Sequence, residues 1–350
     1  MITNFIKHKV RPDDSLSSIA ARIYISENDL KTFHNQNCGK MNKLFVNNLK
    51  GIDFILIPTH LVSEEKQKLQ QQKLLPPPDY FLKFHFDKYS VEEYFEQSEN
   101  ENLKFNYKIN LNIKEEKENF LAEIHVKNLA KNNATPDDKV SSLTLDCMKS
   151  LYPISYKTSL NGKIESFSNH QRLIEKFKEK RNDIKDFYLG EISQKYLNTF
   201  EEDISDEDYF FRQMQSNLLY QVLFPNLEWF HKKSTWKEKF YIHINSFPLE
   251  FSCQTEQLFE DSELVETKMT GTLSENCSLR ELLKGIRIED EDIQNNINAE
   301  IIIQYFTSKT TKQLREIRSS VNIWHQNELF QKHQLHITQY KDENLPITTE

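Results

Sequence analysis

The chain has 350 residues, 37% hydrophobic and 28% charged, with a mean hydropathy of −0.69, and its length allows roughly two to three domains. Lys plus Arg total 45 against 53 Asp plus Glu, a formal charge of −8, which argues against nucleic acid as a partner. Six glycines occur, the nearest two being Gly39 and Gly51. Dinucleotide-binding, phosphate-loop and nucleophile-elbow motifs need two glycines within about five positions and are therefore excluded.

The N-terminus MITNFIKHKV has no apolar stretch of the kind a secretion signal needs, and the first folded element is expected by Ile6. A cytoplasmic location follows, with non-classical export or assembly into an injection apparatus as the alternatives. No apolar run approaches the ~20 residues that cross a bilayer, so no membrane span is expected.

The segment HKVRPDDSLSSIAARIYISENDLKTFHN predicts strand, helix, tight turn, helix. Asp14 is placed to cap the first helix, and Leu16, Ile19, Ala20 and Ile23 form one apolar stripe at helical spacing. Ser26 with Asp29 makes a capping-box variant for the second helix, where Ile25 can staple to Leu30. After a polar stretch to Asn48, LKGIDFILIP supplies a buried strand over Phe54–Ile57, stopped by Pro58. The unit reads β-α-α-β.

At these residues the chain resembles the LysM (lysin motif) domain. HKVRPDDSLSSIA matches its opening, Leu30 and Phe33 its second helix, and Gly51 with Phe54–Pro58 its close. The resemblance covers about 50 residues and implies a non-catalytic module that binds peptidoglycan or another N-acetylglucosamine polymer. Its groove would lie between the first strand–helix loop and the loop before the last strand. Carried over by position, Asp13, Asp14, Ser15 and Leu16 stand on one side, with His34, Asn35 and the Lys50-Gly51-Ile52 turn near the other. Asp13 stands where the family usually has glycine, His34 where it usually has asparagine, and the loop from Asn35 to Asn48 is longer than usual. LysM-like modules also serve as protein docking units in phage-tail-like and type VI injection machines, so a secretion or baseplate protein is the alternative partner.

Residues 63–78, SEEKQKLQQQKLLPPP, read as a linker between residues 1–62 and 79–350, with a short helix over Glu64–Leu75 and a semi-rigid spacer at Pro76–Pro78. KFNYKINLNI (104–113) and NFLAEIHVKN (119–128) alternate apolar and polar residues and predict a hairpin. Further strands are expected over 142–148, 154–160, 239–247, 264–273, 300–307 and 328–340. Between them lies a helical block, with a start at Ser205 and Asp208 and a stop at Pro225. The fold class is α+β with antiparallel strands, and the order suggests two similar halves, 79–225 and 226–345.

No catalytic constellation stands out, and no cofactor or metal is implied. His333 and His336 would point to opposite faces of a strand and cannot share an ion. The acidic runs 201–208 and 289–292 lack the glycine and terminal glutamate of a calcium loop. With 53 acids some pair always falls at a spacing suited to glycoside hydrolysis, and nothing singles one out. Cys38, Cys147, Cys253 and Cys277 show no CxxC spacing and read as thiols, with Cys253–Cys277 a candidate bridge in an oxidising compartment. The 24 phenylalanines and 14 tyrosines read as core, or as the lining of an apolar-ligand carrier inside a curved sheet.

Overall fold

The structure is a computed structural model and describes residues 5–23, 25–58, 70–97, 102–116, 119–288 and 295–340. The chain divides into two compact units, residues 1–74 and 75–350.

In the first unit, β1 (Phe5–Lys9) pairs antiparallel with β2 (Phe54–Pro58), and α1 (Leu16–Arg22) and α2 (Glu27–Asn37) lie between them in sequence. Leu16, Ile19, Ala20, Leu30 and Ile55 form its small core, as the apolar stripe requires. The cap of α1 is Ser15, whose hydroxyl accepts from the backbone of Ser18 at 2.9 Å while the Ser18 hydroxyl receives the Ser15 N–H. Asp14 does not serve as the cap, because its carboxylate is occupied by Arg11, His8 and Arg22. Ser26 caps α2 as its spacing predicts, accepting from the Asp29 N–H at 3.1 Å.

The second unit begins at Leu75, just before the proline run. Leu75 and Pro76 are buried, and the Pro76 carbonyl lies 2.8 Å from the His231 ring, so this end of the expected spacer is packed structure. Of the helix expected over Glu64–Leu75, residues 70–72 are helical and 64–69 lie outside the described residues.

Eleven strands make one antiparallel sheet in the unit: β3 (Lys88–Gln97), β4 (Leu103–Glu116), β5 (Asn119–Lys131), β6 (Ile154–Thr158), β7 (Ile164–Phe167), β8 (Trp236–Phe240), β9 (Leu249–Leu258), β10 (Leu264–Leu273), β11 (Ile297–Ser308), β12 (Leu314–His325) and β13 (Glu328–Gln339). Their spatial order is β7-β6-β5-β4-β3-β13-β12-β11-β10-β9-β8, so β3 and β13 join the strands on either side of the helical block into one sheet. The unit is thus a mixture of helices with a large antiparallel sheet.

Laid flat, eleven strands would hold their edges about 48 Å apart. Instead, Lys163, just before β7, bridges to Glu238 of β8 at 2.6 Å, so the sheet is rolled until its edges nearly meet. Burial alternates along the strands. In β11, Ile297, Ala299, Ile301, Ile303 and Tyr305 are buried, and these positions face the core.

The helices are α3 (Phe81–Phe84), α4 (Lys139–Leu151), α5 (His170–Phe187), α6 (Glu191–Ser205), α7 (Glu207–Ser216), α8 (Leu218–Leu223) and α9 (Leu279–Lys284). Five of the six residues of α8 are buried, which marks an element enclosed on all sides, and its Val222 carbonyl accepts from the Tyr305 hydroxyl of β11 at 3.1 Å.

Several expectations need correction. Residues 142–148 belong to helix α4 and not to a strand: Asp138 caps it, and Leu143, Cys147 and Leu151 recur every fourth position on its buried side. The strand expected over 239–247 ends at Phe240, since the Tyr241 N–H turns to the Gln221 side chain at 2.8 Å. The cap of α7 is Asp206, accepting from Tyr209 at 3.0 Å, while the Ser205 hydroxyl is spent on the Glu201 carbonyl. Strands β3, β7, β9 and β12 were not expected.

Candidate functional site

In the first unit the chain leaves β1 at Val10, turns through Arg11-Pro12-Asp13-Asp14, and enters α1 at Leu16. On the other side the segment from Asn47 to Lys50 leads to Gly51, whose φ of +84° supplies the turn into β2. Between these two loops lies a groove of about 490 Å³. Val10, Arg11, Pro12, Asp14 and Ser15 form one wall, and Asn47, Asn48, Leu49 and Lys50 the other.

Side-chain hydrogen bonds hold both walls. Asp14 Oδ2 accepts from the Arg11 N–H at 2.9 Å and lies 3.0 Å from the His8 ring, and Oδ1 pairs with Arg22. The Arg11 amide, then His8, then Arg22 hold the Asp14 carboxyl well below the usual carboxylate range. Asn47 accepts from the Lys31 ammonium at 3.2 Å and donates to Glu27 at 3.0 Å, and Asn48 accepts from the Lys50 N–H at 2.9 Å. The groove therefore offers hydroxyl, amide, guanidinium and ammonium groups, with its one acid, Asp14, already paired.

Of the positions carried over from the resemblance, Asp14, Ser15 and Lys50 line this groove. Asp13 is exposed and Gly51 shapes the turn, but neither lines it. Leu16 is 1% exposed and belongs to the core, and Ile52 packs against the same core. His34 is fully buried: its Nδ1 accepts from the Leu56 N–H at 3.0 Å and its Nε2 donates to the Asn42 carbonyl at 2.7 Å, which assigns the tautomer. The Asn35 side chain makes two bonds to the Leu44 backbone, at 2.7 and 2.8 Å. His34 and Asn35 thus brace the long loop without facing the groove. Arg11, Pro12, Asn47 and Asn48 escaped notice because a loop residue carries no periodic signal.

In the second unit a buried polar row crosses three strands. The Tyr107 hydroxyl donates to Glu93 at 3.1 Å, and the other Glu93 oxygen lies 2.7 Å from His333, whose ring stacks on Phe95 with centroids 4.0 Å apart. Burial, then the Glu93 charge, pushes the Tyr107 phenol up. This row fastens β4, β3 and β13. His336 is apart from it and pairs with Glu316 at 2.8 Å.

The four cysteines are free thiols, including Cys253 and Cys277, whose thiols burial pushes up to about 12 and about 11. The acidic run 201–208 lies in α6 and the start of α7, and residues 289–292 lie outside the described residues. Among the described residues no three His, Cys, Asp or Glu side chains gather as a metal site, and no helix is long and apolar enough to cross a membrane.

No protein-family model matches the chain, and no curated protein matches it. Among solved structures, one of lipid–protein interactions in lipovitellin aligns at 8% identity with a TM-score of 0.40. The alignment covers 75% of this chain and 25% of that one.

Proposed function

We propose that the first unit is a non-catalytic LysM-type module that holds an N-acetylglucosamine-containing glycan in the groove between its two loops. That groove, with backbone turns and polar side chains on both walls, among them the cationic Arg11 and Lys50, is the observation that carries the reading. An uncharged polysaccharide needs such donors and acceptors together with some apolar wall, which Val10, Pro12 and Leu49 supply. The order of elements, β1-α1-α2-β2, supports it further.

Incubation of the whole protein with insoluble peptidoglycan and with chitin, followed by sedimentation, tests this. The protein should pellet, and Lys50→Trp, which plugs the groove from an exposed position, should reduce pelleting about tenfold or more with the circular dichroism unchanged. A folded protein that stays in the supernatant would remove the proposal. Leu16 is unsuitable for such a test, since its replacement would act through the core.

A second reading, docking to a protein of a contractile injection apparatus, is favoured by one observation. Met41, Phe45 and Val46, on the long loop, are 95%, 84% and 66% exposed, more apolar surface than a short loop ordinarily offers to water. On this reading Phe45→Asp should eliminate the protein from purified particles while leaving glycan pelleting intact.

A further inference from the structure

At the far end of the β4–β5 hairpin the strand register shifts, so that Lys108 pairs with Lys127 while Asn106 pairs with Ala130. The one extra residue on β5 makes a bulge where Asn128 adopts φ +54°, a conformation that asparagine tolerates better than most residues. The bulge has a chemical consequence. Phe120, Ala122, Ile124 and Val126 pack against the core, and unbroken alternation would next turn Asn128 and Ala130 inward. With the bulge, Leu129 packs on the core and Lys131, opposite Phe105, comes to the same side.

Helix α4 stands over this end of the hairpin, and between them is a cavity of about 370 Å³. Its lining is mainly apolar: Phe105, Val126, Leu129, Val140, Leu145 and Met148. Lys127, Lys131 and Lys149 stand around it. Lys149 is paired with Asp146 at 3.0 Å, whereas among the described residues Lys127 and Lys131 form no ion pair. A cavity of this size, apolar with a few convergent polar groups, has the character of a small-molecule site. At about 30 Å³ per small group, the size of a water, it takes about a dozen non-hydrogen atoms, enough for one alkyl chain and too few for two.

We propose that the second unit binds a single-chain anionic amphiphile here, a medium-chain fatty acid, with its chain between α4 and the hairpin and its carboxylate at Lys131 and Lys127. The apolar wall and the unpaired ammonium groups lie on the same cavity, and this combination selects an acid over a neutral alkane or a sugar.

Titration calorimetry of the full chain with octanoate, decanoate, dodecanoate and tetradecanoate tests the proposal. Binding at one site per chain is expected, with affinity rising about fourfold per added methylene until the cavity is full and then levelling. Lys131→Glu should weaken decanoate about fivefold or more and change 1-decanol by less than twofold. Leu145→Trp should abolish both, and Thr144→Trp fills the same cavity from the same helix if the first variant does not fold. Absence of binding, affinity independent of chain length, an equal effect of Lys131→Glu on acid and alcohol, or retained binding in a folded tryptophan variant would each overturn it. So would association with phospholipid vesicles in place of the monomeric acid.

Discussion

His34 and His85 show how the same side chain takes opposite roles by surroundings. His34 is buried with both ring nitrogens satisfied, and it ties α2 to β2 and to the long loop. His85 is buried among the rings of Phe81, Phe84 and Phe224, and neither of its nitrogens has a hydrogen-bond partner among the described residues. Burial pushes its pKa down to about 3. The unfolded chain holds a histidine near 6.5, so between these values it binds the proton that the folded protein refuses. Stability from this group is therefore full above about pH 6.5 and declines as the pH falls toward about 3. Denaturant midpoints at pH 7 and pH 4.5 should show that loss. His85→Leu should shrink it and, by removing two unsatisfied nitrogens, raise the midpoint at pH 7 by the equivalent of about 1 kcal/mol.

Among the elements, α4 illustrates how alternation misleads. Leu143 and Leu145 two apart read as a strand, but the Asp138 cap and the fourfold recurrence of Leu143, Cys147 and Leu151 favour a helix. The turn between β6 and β7 depends on Gly162, where φ is +103° and an added Cβ would lie 2.6 Å from the Phe81 ring and 2.8 Å from the Pro225 carbonyl. Both the backbone conformation and the space forbid a side chain there. Gly162→Ala should cost about 2 kcal/mol or more, read from chemical denaturation of the full chain. The helical block likewise breaks where Asp206 and Asn217 offer caps, so that α7 and α8 are short and α8, buried at five of its six residues, lies apart in direction from α7.

At the scale of the second unit, the pairing of β3 with β13 joins residues some 240 positions apart, as in the bond from His333 to Glu93. Such a pairing carries a high entropic cost, because a long stretch of chain must be ordered before its contacts reward it. A chain ending at residue 327 would lack β13, leave β3 and β12 with open edges, and strip one side from the Glu93 carboxylate. It should show no cooperative unfolding transition for this unit and should aggregate on expression, checked by calorimetry and size exclusion.

How much was readable follows from the range of the forces involved. Helix caps such as Ser26, the stripe Leu16-Ile19-Ala20, and the β4–β5 hairpin depend on residues a few positions apart, and the sequence alone determined them. Strand β3 escaped because its buried face carries Glu93, which reads as polar until His333 and Tyr107 arrive from other strands to satisfy it. The groove walls in the first unit, with Arg11 and Asn47 on opposite sides, and the lysine turned toward the core by the Asn128 bulge were decided only by tertiary structure. A loop's position, a bulge and a sheet's closure are set by which distant surfaces pack together, and that information is absent from local periodicity.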